Sequence, residues 1–220
     1  LAFVLLKPSA LAENLSGSGL RALLTLDGEF ATPRVQYQVN ANRLAMNDMG
    51  LVNLSANGAA TVDADRIMIP IEASVARITG LDTVAGGQLR NVRLAGDLGI
   101  EGPRILSDNM RIRSDRIDAG LILLADTSTG LYTGAIDGRI DNYRIESVGI
   151  FDIETDVDLE SEGDGFALAG RVRVRSTSLF NEGVRDFLGG NAVAGADIRY
   201  GSDGIARFRN LTLRAPAARI

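Results

Sequence analysis

Apolar and polar residues alternate along most of this chain, and this two-residue period limits its fold more than any other feature of the sequence. Val35, Tyr37 and Val39 alternate with Gln36 and Gln38. Side chains of a β-strand point alternately to its two faces, so the period indicates strands with one apolar and one polar face. Similar stretches follow at 52–64, 67–75, 92–100, 132–140, 153–159 and 166–174, separated by clusters of Gly, Asp and Asn.

The phase of the alternation changes within the stretch 52–75. Apolar residues occupy the even-numbered positions from Val52 to Ala64 and the odd-numbered positions from Ile67 to Val75. We therefore expect a tight Asp turn or a bulge near Asp65. Pro70 has no N–H to donate, so a kink or a locally unpaired position is expected there.

The length of the chain determines the shape of the predicted sheet. At about ten residues per strand plus a short turn, 220 residues give roughly fifteen strands and a sheet about 70 Å wide. Twisted sheets of more than about ten strands curl or fold over. We predict an all-β fold, a long twisted antiparallel sheet folded into an elongated groove. Residues 1–220 are expected to be one repetitive β region without an internal domain boundary, in a sheet that continues at both ends.

One segment has a helical rather than a strand period. Leu179, Val184 and Leu188 fit one face of a short helix over 179–188, and the Gly189-Gly190 pair would end it. Such a helix could act as a flap over the apolar face or simply cap the packing of the sheet. A second, weaker helical turn is predicted at 81–86.

An internal repeat accompanies the alternation. The pattern of Leu51, Asn53 and Leu54 returns 38 residues later as Leu89, Asn91 and Val92. The same offset relates Gly58 to Gly96, Arg66 to Arg104 and Ile67 to Ile105, and a degraded third copy begins at Phe208-Arg209-Asn210-Leu211. Repeats of this size are typical of stacked units that extend a structure along one axis.

The clearest predicted hairpin joins an acidic strand to a basic one. A type II′ turn at Gly163-Asp164 would align the two halves. The predicted opposite pairs are Asp156 with Arg171, Glu154 with Arg173, Asp152 with Arg175, Ile153 with Val174 and Leu159 with Leu168.

Composition argues against several functions. The chain has no His and no Cys, which removes the usual nucleophile pairs and the common zinc ligands. A net charge of -5 is unlike that of nucleic-acid-binding proteins. The acidic row beginning at Asp158 resembles half of an EF-hand loop, but its twelfth position is Ala169 instead of Glu. We therefore predict no enzymatic activity, no metal site, no cofactor and no nucleic-acid partner.

The stretch from Gly130 to Ile153, the repeats at Asn53 and Asn91, and the segment 179–190 together resemble the TamB proteins of Gram-negative bacteria, within the AsmA-like superfamily. The resemblance covers most of the chain. It implies a groove-shaped β-structure in the periplasm, anchored in the inner membrane by a segment outside these residues. It further implies transport of phospholipid towards the outer membrane, support of outer-membrane protein assembly, and an Omp85-type outer-membrane barrel as partner.

If the chain conducts lipids, its apolar positions form the floor of a groove that holds acyl chains. The predicted lining residues are Val35, Tyr37, Val39, Leu54, Val62, Ile69, Ile71, Leu94, Ile136, Ile153, Val172 and Val174. A structural or adhesive β-solenoid is the alternative, since a dry, self-packed core would exclude charges from the same positions. An open, apolar channel favours the lipid conduit, whereas a closed core built from parallel coils favours the solenoid.

Overall fold

The computed structural model describes residues 2–5, 15–29, 32–46, 49–63, 65–81, 87–162, 165–201 and 204–219. Fourteen strands of this part of the chain form a single sheet, accompanied by one short helix. The strands are β1 (Ala2–Leu5), β2 (Leu15–Ser18), β3 (Leu20–Asp27), β4 (Arg34–Met46), β5 (Met49–Val62), β6 (Ile67–Leu81), β7 (Gly87–Glu101), β8 (Arg104–Arg113), β9 (Ile117–Asp126), β10 (Leu131–Ile145), β11 (Gly149–Glu162), β12 (Gly165–Leu179), β13 (Val193–Gly201) and β14 (Ala206–Arg214). The helix is α1 (Glu182–Leu188).

The sheet is an antiparallel meander. From β3 to β14 each strand pairs with the next one in the sequence, β1 pairs with β3, and β2 pairs with β4 beside β3. The sheet remains open, because within the described residues β1 and β14 lie at its two ends and do not pair with each other. The all-β fold class and the long antiparallel sheet predicted from the sequence are confirmed.

The hairpin of β11 and β12 has the predicted register. Asp156 lies opposite Arg171, Glu154 opposite Arg173 and Leu159 opposite Leu168, and the two further predicted pairs are also present. Two ion pairs form, from Arg171 to Asp156 at 4.0 Å and from Arg173 to Glu154 at 3.8 Å. All four side chains are exposed, so these pairs fix the register more than they stabilise the fold. The predicted turn residues 163–164 lie outside the described part of the chain.

Four asparagines within strands adopt a left-handed backbone conformation. The φ angles are 53° at Asn53, 52° at Asn91, 56° at Asn142 and 51° at Asn210. Asparagine tolerates this conformation better than most residues. Each asparagine occupies the third position of an apolar-x-Asn-apolar motif, and the copy that ends at Tyr143 was missed because it falls outside the 38-residue offset.

The left-handed asparagine corrects the predicted phase of the 52–64 stretch. Leu51 and Leu54, on either side of Asn53, both pack against the same hydrophobic cluster although they are three positions apart. Val52 instead lies opposite Arg43 and Arg77. The prediction that Val52 shares a face with Leu54 is therefore wrong, because the positive φ of Asn53 reverses the alternation at that point.

Replacing Asn91 by valine is expected to lower the free energy of unfolding by about 1–2 kcal/mol, since a β-branched residue is strained at positive φ. Asn91→Gly should change it by less than about 0.5 kcal/mol. Asn57→Val is the matched control, because Asn57 is an exposed strand residue outside the group with positive φ. Urea denaturation measures all three variants. An equal loss for Asn91→Val and Asn57→Val would contradict the account.

Three local clusters make up the core of the described residues. The first contains Val75, Leu89 and Val92, the second Leu20, Ala41 and Leu44, and the third Leu179, Leu188 and Ala192. Leu89 and Val92 are only 3% and 4% exposed. None of the described side chains is completely buried. Leu51 and Leu54 pack against both the first and the second cluster, whereas the third cluster shares no residue with the other two, so the core of the sheet has two separate parts.

Helix α1 confirms the predicted helix but is shorter than the predicted span. Asn181 caps its N-terminus by accepting a hydrogen bond from the Val184 N–H, and Gly189 ends it with a φ of 71°. Leu188 packs against Leu179, whereas Phe187 is 71% exposed. The helix therefore caps the packing at the end of β12, which agrees with the simpler of the two predicted roles.

The remaining local predictions concern turns. Asp63 and Arg66 exchange two backbone hydrogen bonds, which closes a tight turn between β5 and β6 as expected near Asp65. Leu81 ends β6, and the rest of the helical turn predicted at 81–86 lies outside the described residues.

Candidate functional site

The twelve predicted lining residues fall on one face of the sheet, which we call the apolar face. Residues directly opposite each other in an antiparallel pair have side chains on the same face. Val39 lies opposite Ala56, and Ala56 lies opposite Ala73. The row of opposite residues then continues across β7 to β12 as Leu94, Ile112, Ala119, Gly138, Thr155 and Val172.

The other lining residues join the apolar face through the alternation within their strands or through their own pairs. Ile136 lies opposite Leu121, and Ile153 lies opposite both Ile140 and Val174. Val62 lies opposite Ile67, two positions from Ile69. The structure therefore brings all twelve residues into one surface that extends from β4 to β12.

The apolar face is only partly covered. Each of the twelve residues is half-buried, neither sealed in a core nor fully exposed. Buried residues of the first two clusters, such as Val75 and Ala41, lie on the same face and cover part of Leu54 and Val39. The rest of each lining side chain remains accessible. Carbon atoms of this face can therefore contact an apolar ligand without any rearrangement of the backbone.

Tyr37 carries the one polar side-chain atom among the twelve residues, and that atom is satisfied internally. Its hydroxyl donates a hydrogen bond to the backbone oxygen of Pro70 at 2.6 Å, across the backbone of Gly58. Burial, together with the nearby Glu72 carboxylate, raises the pKa of Tyr37 above its usual value. The ladder between β5 and β6 has no pairs between Asn57 and Thr61, so the unpaired position predicted at Pro70 is confirmed towards β5, whereas Pro70 lies opposite Asp97 of β7 on its other side.

Strands β8 and β9 add residues to the apolar face that the sequence analysis missed. Met110 and Ile112 of β8 lie opposite Leu121 and Ala119 of β9. A bulge between Ser107 and Met110 shifts the alternation of β8, and β9 is apolar at nearly every position, so neither strand shows a clear two-residue period. The near-continuous apolar run 119–125 was the available signal.

Ser107 interrupts the aliphatic character of this face. It lies opposite Leu123 and is 4% exposed. Within the part of the chain that the structure describes, its hydroxyl oxygen has no hydrogen-bond partner. A buried hydroxyl without a partner costs about 1–3 kcal/mol, so this position weakens the middle of the sheet.

The opposite face, which we call the polar face, carries ordered rows of charge. One row alternates strictly across five strands, as Arg113, Asp118, Arg139, Glu154 and Arg173. Arg111, two positions before Arg113 on β8, donates a hydrogen bond from its guanidinium to Asp118 Oδ1 at 2.7 Å. This hydrogen bond holds the pKa of Asp118 below its usual value.

A cavity of about 990 Å³ lies on the polar face between β8 and β14. Its lining combines arginines, among them Arg111 and Arg173, with acidic residues such as Asp137 and Asp197. All of its charged lining residues belong to the polar face. Val172 is the one predicted lining residue that also lines this cavity, so the cavity is formed mainly on the face opposite to the acyl-chain groove expected from the sequence.

Two features are absent from the described residues. These residues contain no cluster of three or more His, Cys, Asp or Glu residues able to hold a metal ion. They also contain no helix that is long and apolar enough to cross a membrane.

No protein family, curated protein sequence or solved structure matches the chain.

Proposed function

We propose that the apolar face binds the acyl chains of phospholipids, and that this chain is part of a protein that moves lipid between the inner and outer membranes of a Gram-negative bacterium. The periplasmic location, an inner-membrane anchor in another segment and an Omp85-type partner belong to the same proposal. They depend on the resemblance to TamB proteins. Binding of acyl chains has independent support from the geometry of the sheet.

The observation that carries the proposal is the continuity of a half-exposed aliphatic surface from β4 to β12. A lipid with two chains would bury roughly thirty methylene groups, each worth about 0.8 kcal/mol relative to water. Such a molecule can move along a protein only if the path remains nearly as apolar as a bilayer. The lining residues carry no charge, and their single hydroxyl is bonded to Pro70.

The solenoid alternative has weaker support. A solenoid of parallel coils would pair its strands in parallel, whereas every strand pair among the described residues is antiparallel. It would also seal its inner side chains from solvent. The half-exposed state of Ile69 and Val172 argues for a surface that is open to a ligand.

Placing an arginine on the apolar face tests the proposal. Ile69→Arg and Val172→Arg should weaken binding of a fluorescent phospholipid at least about tenfold, because a charge among acyl chains costs a few kcal/mol. Ser74→Arg is the matched control, since Ser74 is an exposed residue of the same strand as Ile69. It should change binding by less than about twofold, well under the tenfold step.

Circular dichroism of each variant must accompany the binding measurement. If the arginine variants remain folded and bind the lipid as tightly as the wild type, the proposal is wrong. If they unfold while Ser74→Arg does not, the apolar face is a sealed core and the solenoid alternative gains support.

A further inference from the structure

The middle of strand β9 is apolar on both of its faces, which distinguishes it from the half-apolar strands of the alternating regions. Its residues 119–125 read Ala-Gly-Leu-Ile-Leu-Leu-Ala. Runs of this kind are typical of strands that are covered on both sides. The odd-numbered residues lie on the apolar face, so Ile122 and Leu124 are left on the polar face, where they are 53% and 41% exposed.

These two residues form a larger apolar cluster, the outer patch, together with exposed Leu131 and half-buried Leu106. Leu106 lies opposite Leu124. Leu131, 58% exposed, lies on β10 two positions from Thr133, the residue opposite Leu124. The outer patch therefore joins three neighbouring strands on a face that is otherwise charged.

The acidic residues of β11 from Asp152 to Glu160 form a row that borders the outer patch, and only some of them lie opposite an arginine. Ile122 lies opposite Ala135, and Ala135 opposite Asp158. Leu124 is connected in the same way through Thr133 to Glu160.

On the far side of β11, Asp158 and Glu160 face Ala169 and Ala167. Asp156, next in the same row, instead faces Arg171. The half of the acidic row without opposite arginines is thus the half beside the outer patch.

Two further arginines lie near this border. Arg111, opposite Gly120, donates to Asp118, and Arg199 lies opposite Ala169, with β12 between it and Asp158. Asp108 lies in the β8 bulge that faces Ile122, which adds a further acid. Arg104 lies opposite Glu101 of β7 and Asp126 of β9, so an acidic residue faces it on each side. The border of the outer patch is therefore acidic, which favours a basic occupant.

We propose that the outer patch is a docking surface for a basic amphipathic α-helix of a partner protein. The main-chain groups of β8, β9 and β10 are already paired on both sides, so a partner cannot add a strand here. A helix can pack on a sheet face through an apolar stripe with residues at i, i+3, i+4 and i+7. Lysine or arginine on the flank of that stripe would meet Asp158 and Glu160.

A synthetic 18-residue peptide with leucine on one helical face and lysine on the other is a suitable probe, with a scrambled peptide of the same composition as control. Fluorescence anisotropy should show that the amphipathic peptide binds at least about tenfold more tightly than the scrambled one. Ile122→Ser combined with Leu124→Ser should weaken binding by about the same factor. Equal binding of the two peptides would contradict the proposal.

Neutralising two acids of β11 at a time distinguishes binding to the acidic border from a general attraction of the basic peptide to an acidic protein. Asp158→Asn with Glu160→Gln should weaken binding about tenfold, and Glu154→Gln with Asp156→Asn, which removes the same charge from the same strand, less than about threefold. Equal effects of the two pairs would overturn the proposal. Sedimentation of the wild type as a dimer that the serine variant dissociates would identify a second copy as the occupant and also overturn it. Lipid binding to the apolar face does not enter either measurement, so the two proposals can fail independently.

Discussion

Replacing Gly58 by valine is expected to lower the free energy of unfolding by about 3 kcal/mol or more, near the upper end of the range for overpacked sites. A Cβ atom at this position would overlap the backbone oxygen of Pro70 and would lie 2.6 Å from the Tyr37 hydroxyl oxygen. The added side chain would fill the space over Gly58 that the Tyr37 hydroxyl occupies, so the hydrogen bond between Tyr37 and Pro70 would be lost. Denaturant unfolding followed by circular dichroism measures the effect.

Gly120→Ala is the matched control for this substitution. Gly120 also lies within a strand, but a Cβ atom there would meet only the Asp137 backbone oxygen, at the ordinary contact distance of 3.8 Å. We expect a change within about 1 kcal/mol, because an unstrained glycine-to-alanine change mainly restricts the unfolded chain. If Gly58→Val lowered the free energy of unfolding as little as Gly120→Ala, the Tyr37 side chain could not cross β5 at Gly58.

Replacing Leu89 by alanine is expected to cost about 2–4 kcal/mol of unfolding free energy, the range for deleting a buried leucine side chain. Leu89 is 3% exposed and packs with Val75 and Val92, close to the left-handed Asn91. Leu26 is 72% exposed, so Leu26→Ala should cost less than about 1 kcal/mol. Similar losses from both substitutions would mean that the cluster around Leu89 does not form in solution.

The period of two was sufficient to predict the fold class and the register of β11 and β12. Each correctly predicted pair of that hairpin places an acid opposite an arginine or an apolar residue opposite another apolar residue. A register shifted by one residue would place apolar residues opposite charged ones, so the sequence favours one register. The sequence could not show that Val52 changes face, because that depends on the φ angle of Asn53. A repeated apolar-x-Asn-apolar motif is the local signal for such a reversal.

The candidate surface was predicted in part. Alternation was enough to select residues of β4, β5, β6, β7, β10, β11 and β12, since each of these strands keeps its period over several positions. Strands β8 and β9 were missed because a bulge and a two-sided apolar run hide the period. The charged cavity was missed because its lining residues are spread over β8 to β14 and become neighbours only when these strands pair.

The most direct test of acyl-chain binding is a photo-crosslinking scan along β12. A photoreactive residue is placed in turn at Arg171, Val172, Arg173 and Val174, and each variant is exposed to phospholipid vesicles and then analysed by mass spectrometry. Val172 and Val174 lie on the apolar face, and the two arginines lie on the polar face. The account predicts lipid adducts at Val172 and Val174 and none at the two arginine positions. Equal adducts at all four positions, or adducts only at the arginines, would contradict it.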